Sequence, residues 1–303
     1  MGAAVVFPGQ GSQVAGMADP WLADPVSARA IDEVSAAIGR DVAAGARDPE
    51  ALATTAFAQP ALLACEVAAY RVLEDAGLRP AAAAGHSLGE FAALVAAGVL
   101  TLADAARIVA VRGTAMQAAA DARPGGMSAL LGVGAADAAA LCDAVRGDGI
   151  LLVANENSPQ QVVASGSLGA LERLETACAE RKIRAVRLAV AGAFHSPLME
   201  PAIAPLRDAI AAAPFASPRV PVASNVTGSL VGDPDEIRDL LGRHVVSAVR
   251  WETCVASLLA TGVDRLVEAG PGDVLTKLAK RVAPGVPALA VGDPAAARAA
   301  LAT

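Results

Sequence analysis

Residues 81–91 read Ala81-Ala82-Ala83-Ala84-Gly85-His86-Ser87-Leu88-Gly89-Glu90-Phe91. The apolar run 81–85 has the length of a short buried strand, and a helical pattern begins directly after it, over 88–97. A strand that becomes a helix through a glycine-flanked turn points to an α/β architecture. Towards the N-terminus, residues 3–7 (AAVVF) read as a second buried strand, ended by the turn Pro8-Gly9-Gln10-Gly11. Helices are predicted over 26–39 and 60–76, the second opened by Pro60 and closed by Gly77. On the other side, a helix is predicted over 102–121, with Thr101 as N-cap and Asp104 in its first turn.

The stretch 126–190 has a different rhythm. It reads as strand 127–133, helix 135–145, strands 150–154 and 161–165, helix 168–181 and strand 183–190. This β-α-β-β-α-β order is ferredoxin-like. Beyond it, helices at 198–212, 235–246, 252–261 and 274–282 alternate with strands at 220–224, 265–268 and 287–291. The expected fold is therefore an α/β-hydrolase-like core with a mostly parallel sheet, formed by 1–124 and 192–303. A smaller ferredoxin-like subdomain, 125–191, is inserted into it.

Composition excludes several function classes. The 303 residues are 54% hydrophobic but only 3% aromatic, and about a quarter are alanine. Mean hydropathy is +0.48, yet the longest clean apolar run, 91–100, is about half of what a membrane helix needs. The first residues lack a basic region and a cleavage pattern, so no secretory signal is expected. A net charge of -7 with scattered Lys and Arg argues against nucleic-acid binding. Cys65, Cys142, Cys178 and Cys254 are widely spaced and form no CxxC pair, so reduced cysteines in a cytoplasmic protein are expected, with no metal site.

Gly85-His86-Ser87-Leu88-Gly89 fits the G-x-S-x-G nucleophile elbow. Glycines let the backbone turn sharply, so the Ser87 hydroxyl projects at the head of a helix whose free N–H groups face a developing oxyanion. The alternative is a chance match in a Gly- and Ala-rich chain, and the strand–turn–helix context weighs against it. A serine nucleophile needs a base, and the chain has three histidines. His86 leaves the elbow in another direction. Of the other two, His195 lies in a loop at the subdomain junction, where it can reach a cleft, and His244 lies near a helix end. The residues alone favour His195 without excluding His244.

Several segments together resemble the malonyl-CoA:acyl-carrier-protein transacylase family, which includes the acyltransferases of polyketide synthesis. They are Phe7-Pro8-Gly9-Gln10-Gly11-Ser12-Gln13, Gly85-His86-Ser87-Leu88-Gly89-Glu90, Val111-Arg112-Gly113 with Met116-Gln117, and Asn157-Ser158-Pro159-Gln160. Further on come Gly192-Ala193-Phe194-His195-Ser196, Val249-Arg250-Trp251 and Glu268-Ala269-Gly270-Pro271-Gly272. They occur in family order and span residues 5 to about 282.

The resemblance implies Ser87 as nucleophile, His195 as base, and the N–H groups of Gln10 and Leu88 as oxyanion hole. Arg112 would hold the malonyl carboxylate. Phe194 would crowd a C2 substituent, since methylmalonyl-accepting members usually carry a smaller residue there. His244 departs from the pattern: it stands where many members have a glutamine whose carbonyl orients the histidine. Ala248 replaces a common proline. Glu90 should point away from Ser87 and serve the structure or the helix dipole.

The resemblance further implies ping-pong malonyl transfer from malonyl-CoA to acyl-carrier protein, supplying fatty-acid synthesis, with a polyketide carrier protein as the alternative and a serine esterase or thioesterase as a more remote one. No cofactor is expected beyond the CoA and phosphopantetheine of the substrates. A cytoplasmic monomer that binds neither membrane nor nucleic acid is expected. An acidic carrier protein would need a local basic patch, for which Arg123, Arg181, Arg184 and Arg187 are the candidates.

Overall fold

The structure, a computed structural model, describes residues 2–300. The chain opens with strand β1 (Gly2–Phe7), a short helix α1 (Asp19–Leu22), and α2 (Pro25–Ile38). Two more short helices, α3 (Val42–Gly45) and α4 (Pro49–Ala53), lead into the long α5 (Thr55–Asp75). Strand β2 (Ala82–Gly85) runs into α6 (Gly89–Ala96), followed by α7 (Leu102–Ala122).

A second sheet then forms from β3 (Gly125–Leu131), α8 (Ala135–Val145), β4 (Leu151–Ser158), β5 (Gln161–Ser167), α9 (Leu168–Glu180) and β6 (Arg184–Arg187). The chain returns through a 3-10 turn (Pro197–Ala202) to α10 (Ile203–Ala211), β7 (Val222–Ala223) and β8 (Leu230–Val231). It ends with α11 (Pro234–Arg243), a 3-10 turn (His244–Val246), α12 (Trp251–Ala260), β9 (Val263–Ala269), α13 (Val274–Val282), β10 (Ala288–Val291) and α14 (Pro294–Ala299).

The main sheet has the order β10-β9-β1-β2-β7-β8. All its pairs are parallel except β7 with β8. Helices cover both faces, which is why its strands are apolar without alternation. Val5, Phe7 and Ala83 face the core built on α2, α5, α6 and α7. Ala4, Val6, Ala82 and Ala84 face Trp251, Val255, Leu258, Leu275 and Leu278 of α12 and α13. The second sheet has the order β4-β5-β3-β6, antiparallel throughout. Counted within the segment this is 2-3-1-4, the ferredoxin-like arrangement. Leu130, Leu141, Leu151, Val162, Leu171 and Leu174 form a core of its own beneath it.

Several boundaries differ from the sequence reading. Helix α5 starts at Thr55 and carries Pro60 inside it. Its start is fixed from outside, since the Thr55 N–H donates to Gln117 Oε1 of α7 at 2.9 Å, a contact no local pattern encodes. Strand β6 stops at Arg187, and Leu188 and Val190 turn to line a cavity. Expected helix 198–212 begins as a 3-10 turn, with Pro201 inside it. Expected helix 235–246 tightens to 3-10 at His244. The two-residue β8, the C-terminal α14 and the short helices before Thr55 were not predicted. No helix among the described residues is long and apolar enough to cross a membrane.

Candidate active site

The turn after β2 is as tight as the glycines imply. A Cβ on Gly85 would meet the Gly89 carbonyl carbon and oxygen at 1.9 Å, and one on Gly89 would meet Phe7 O at 2.3 Å. Between them Ser87 adopts φ 51°, a left-handed conformation that costs a non-glycine residue roughly 1–2 kcal/mol. Asn225 holds it there. Its Oδ1 accepts the Ser87 N–H at 2.6 Å and its Nδ2 donates to Gly85 O at 2.7 Å. The Asn225 N–H in turn donates to Glu90 Oε2 at 2.9 Å. Glu90 is thus buried and acts on Ser87 only through Asn225.

Ser87 Oγ lies 2.8 Å from His195 Nε2. The other ring nitrogen, Nδ1, faces the main-chain carbonyls of His244 at 3.1 Å and Ser247 at 2.9 Å. Two acceptors at Nδ1 place the proton there, so Nε2 offers a lone pair to the serine hydroxyl. His195 also has a positive φ, 57°. Burial, with the fields of Arg112 and His86, pushes its imidazole down to about 3, so it is neutral at pH 7.

Arg112 projects from α7 and is fully buried. Its Nη1 donates to Gln59 Oε1 at 2.7 Å and its Nη2 to Ser87 Oγ at 3.1 Å, while Nε has no partner among the described residues. Burial lowers it to about 10, opposed by Glu90, and it remains a cation at neutral pH. The Nε/Nη2 edge thus lies beside the serine, with Nη2 on Ser87 Oγ and Nε buried without a partner among the described residues, and such an edge is the one that binds a carboxylate bidentately. The N–H groups of Gln10 and Leu88 donate to no acceptor among the described residues. Leu88 is the N-cap of α6, where free N–H groups and the helix dipole favour negative charge.

These groups surround a cavity of about 80 Å³ lined by Gln10, Gln59, His86, Ser87, Met116, Phe194 and His195, among others. It shares Gln10, His86, Asn155 and Leu188 with a channel of about 210 Å³. That channel passes between the ferredoxin-like sheet (Ala129, Asn157, Val163) and α13 (Val274, Leu278). His86 points into both spaces and bonds Asn157 Oδ1 through Nε2 at 2.8 Å. A larger groove of about 380 Å³, lined by Tyr70, Arg71 and Arg219, shares no residue with either.

The structure therefore brings Ser87, His195, Phe194 and Gln10 to one cavity, with Arg112 buried behind Ser87, Leu88 next to Ser87 in the turn, and the His244 carbonyl behind His195. The four arginines expected to form a patch do not line the channel, and Arg187 is paired with Glu175 at 2.6 Å. Sequence reading did not find Asn225, Gln59 or Ser247. Gln59 had a local sign, a polar residue within the apolar face of a helix. Asn225 sits in an ordinary turn sequence, and Ser247 contributes only its carbonyl. Among the described residues no three His, Cys, Asp or Glu side chains gather as a metal-ligand set.

The acyl transferase domain family matches residues 4–289. The malonyl CoA-acyl carrier protein transacylase of Escherichia coli K12 is 43% identical over 303 residues, covering 98% of each chain. An acyl carrier protein S-malonyltransferase from Vibrio cholerae superposes with a TM-score of 0.94 at 40% identity, over 99% of this chain and 100% of that one. A malonyl-transacylase solved in complex with a type II polyketide synthase acyl-carrier protein superposes with a TM-score of 0.94 at 38% identity, over 100% and 99% of the two chains.

Proposed function

The chain belongs to the acyl transferase domain family, among the malonyl CoA-acyl carrier protein transacylases, and from that premise we propose that it moves a malonyl group from malonyl-CoA to the phosphopantetheine thiol of an acyl-carrier protein through a malonyl-serine intermediate. The observation that carries this reading is the buried Arg112 fork 3.1 Å from a serine that is itself 2.8 Å from a neutral histidine.

Malonyl-CoA enters along the channel, and its carboxylate takes the Nε/Nη2 edge of Arg112. Ser87 Oγ attacks the thioester carbonyl as His195 Nε2 removes its proton. The His244 and Ser247 carbonyls stabilise the imidazolium through Nδ1–H. The oxyanion is met by the N–H groups of Gln10 and Leu88, and one such donor is worth about 2.7–4 kcal/mol of barrier. His195 then protonates the departing CoA sulfur. In the second half, the carrier-protein thiol gives its proton to His195 and attacks the malonyl-serine ester. The C–Oγ bond breaks, the imidazolium returns the proton to Ser87 Oγ, and the malonyl thioester leaves.

The low basicity of His195 fits this order. Arg112 is one of the fields that depress it, and a bound carboxylate offsets that field, so the substrate itself makes the base stronger. Phe194 walls the cavity beside Ser87 and His195 and leaves little room for a substituent at C2.

Both thioester carriers come with the substrates, and the reading requires no resident cofactor. It places the protein in the cytoplasm as a monomer, without membrane or nucleic-acid contact. Fatty-acid synthesis is the first assignment of the product. The likeness to a transacylase solved with a polyketide carrier protein supports the second, a discrete acyltransferase for polyketide synthesis.

Intact-mass analysis tests the reading. After incubation with malonyl-CoA the protein should gain one malonyl group at Ser87, and acyl-carrier protein in its phosphopantetheine form should take it up. An adduct discharged to water at the same rate with or without carrier protein identifies a thioesterase instead, and absence of an adduct refutes the serine intermediate.

A further inference from the structure

The side chains of Glu90 and His244 remain outside the steps described so far. Glu90 lies on α6, three residues beyond Ser87, with a side chain 3% exposed, and its Oε2 stands 3.7 Å from His244 Nε2. The His244 ring is fully buried, and neither of its nitrogens has a hydrogen-bond partner among the described residues. A neutral imidazole carries one N–H and one lone pair, and burying both idle is costly. A shift of about 0.7 Å closes the gap to the ~3 Å of a hydrogen bond.

Each partner also reaches the reacting pair by its own route. Glu90 holds Asn225, whose amide clamps Gly85 and Ser87. The His244 carbonyl takes the His195 Nδ1–H, and its ring meets the His195 ring edge-on with centroids 5.3 Å apart.

We propose that Glu90 and His244 are positioning residues for this reaction: a hydrogen bond closing the 3.7 Å between them joins the Asn225 clamp on Ser87 to the carbonyl clamp on His195, and so sets the separation of the two reacting groups. This rests on the reading of Ser87 and His195 as nucleophile and base. It gives the side chain at 244 a task separate from that of its carbonyl.

The bond survives in either protonation arrangement. A neutral Glu90 carboxyl donates to Nε2 when the imidazole proton is on Nδ1, and a carboxylate accepts from Nε2–H. Arg112 faces Glu90 from α7 and Cys254 from α12. Burial raises Glu90 to about 7, against the Asn225 N–H and Arg112, which lower it. Burial, with Arg112, His195 and His86, keeps His244 neutral. Glutamine at 244 would offer Glu90 a donor and an acceptor without a proton to titrate.

The test reads Ser87 labelling by phenylmethanesulfonyl fluoride, which needs an activated serine and no malonyl group, alongside single-turnover acylation by malonyl-CoA. His244→Leu should slow labelling about 10- to 100-fold and slow acylation as much, with half-saturation by malonyl-CoA within about threefold. His244→Gln should recover to within about fivefold of the parent. The Glu90→Ala/His244→Leu double variant should be no slower than Glu90→Ala, because Glu90→Ala already removes the bond that His244→Leu removes, together with the Asn225 N–H contact.

His244→Leu at the parent rate, losses that multiply, a glutamine variant as slow as the leucine one, or a parent protein that is not labelled would overturn the proposal. Normal labelling without malonyl acylation strikes the substrate reading alone. If His244→Leu does not fold, Glu90→Gln decides. Glu90→Gln keeps an acceptor for the Asn225 N–H and a donor for His244, so it should label within about fivefold of the parent while Glu90→Ala is slowed about 10- to 100-fold, and equal rates for the two would overturn the coupling.

Discussion

Replacing Arg112 with methionine removes the guanidinium, whose carbon lies 5.8 Å from the Phe91 ring centroid, while keeping most of the buried aliphatic stem. In the parent, Nη1 is held by Gln59, Nη2 donates to Ser87 Oγ, and Nε is buried without a partner among the described residues. A malonyl carboxylate bound there is a buried charge with one cationic partner. Deleting one member of a buried ion pair costs about 3–5 kcal/mol, or roughly 10²- to 5 × 10³-fold in kcat/KM at about 1.36 kcal/mol per decade. Acetyl-CoA has no carboxylate to strand, so its kcat/KM should change by less than about tenfold, and the malonyl-to-acetyl ratio should fall roughly 100-fold. The assay is steady-state transfer of each acyl group to carrier protein, with thermal melting to confirm the fold. The same variant carries a second, independent expectation. Arg112 lowers the His195 imidazole, so its loss should move the acid limb of kcat/KM for acetyl-CoA upward, towards the ordinary histidine value near 6.5. Equal losses for malonyl and acetyl with an unmoved acid limb would refute the carboxylate role and the field argument together.

Phe194→Ala should raise the methylmalonyl-to-malonyl ratio of kcat/KM by about 10- to 100-fold, since one methyl group is worth about 1–3 kcal/mol in a pocket, and an unchanged ratio removes Phe194 as the selector. Gly89→Ala should fail to accumulate as folded protein because its Cβ would lie 2.3 Å from the Phe7 carbonyl oxygen, whereas Gly232→Ala, with open space around it, should shift the urea midpoint by no more than about 0.5 kcal/mol equivalent. A folded Gly89→Ala variant would contradict the packing of α6 on β1. Glu66→Gln tests a buried acid away from the reaction. Neither Glu66 oxygen has a partner, and burial plus nearby Glu268 raise its carboxyl well above the usual range. The folded state then keeps a proton that the unfolded chain releases above about 4.3, so stability falls as pH rises through the folded value. Melting at pH 5 and pH 8 should show the glutamine variant gaining on the parent at the higher pH, and a constant difference would refute the protonated state.

Local pattern carried the fold where the pattern was complete. The β-α-β-β-α-β order over 126–190 was sufficient because each strand and helix in it buries its own residues against neighbours in the same segment. The main sheet was legible because covering both faces makes its strands uniformly apolar, as in AAVVF and AAAAG. Thr55–Gln59 was missed because the helix start is capped from α7 and not by its own N-cap residue. The two-residue β8 was missed because its antiparallel pairing with β7 is a tertiary event with almost no local sequence behind it. In the site, Gln10, Ser87, Leu88, Arg112, Phe194 and His195 lie in recognisable segments, and the first three are set by glycine turns. Asn225, although it holds both Gly85 and Ser87, is 138 residues from Ser87, and nothing in Ser224-Asn225-Val226 marks it.

Strain separates the two halves of the reacting pair. Among the described residues only Ser87, Lys182 and His195 combine a side chain with positive φ, and two of the three face each other at 2.8 Å. Such conformations persist when their surroundings over-determine them. For Ser87 the surroundings are mostly local: Gly85 and Gly89 sit where a Cβ would strike backbone, so the turn has no relaxed alternative. For His195 they are remote. Phe194 and Ser196 flank it without glycine, and its ring is fixed by carbonyls 49 and 52 residues away. The consequences of substitution should divide accordingly. Changes at 85 and 89 meet backbone and are lost as folding failures. Changes behind His195, at the 244 side chain that packs against its ring, meet a ring that can swing, so they should leave the protein folded and appear as slowed proton transfer.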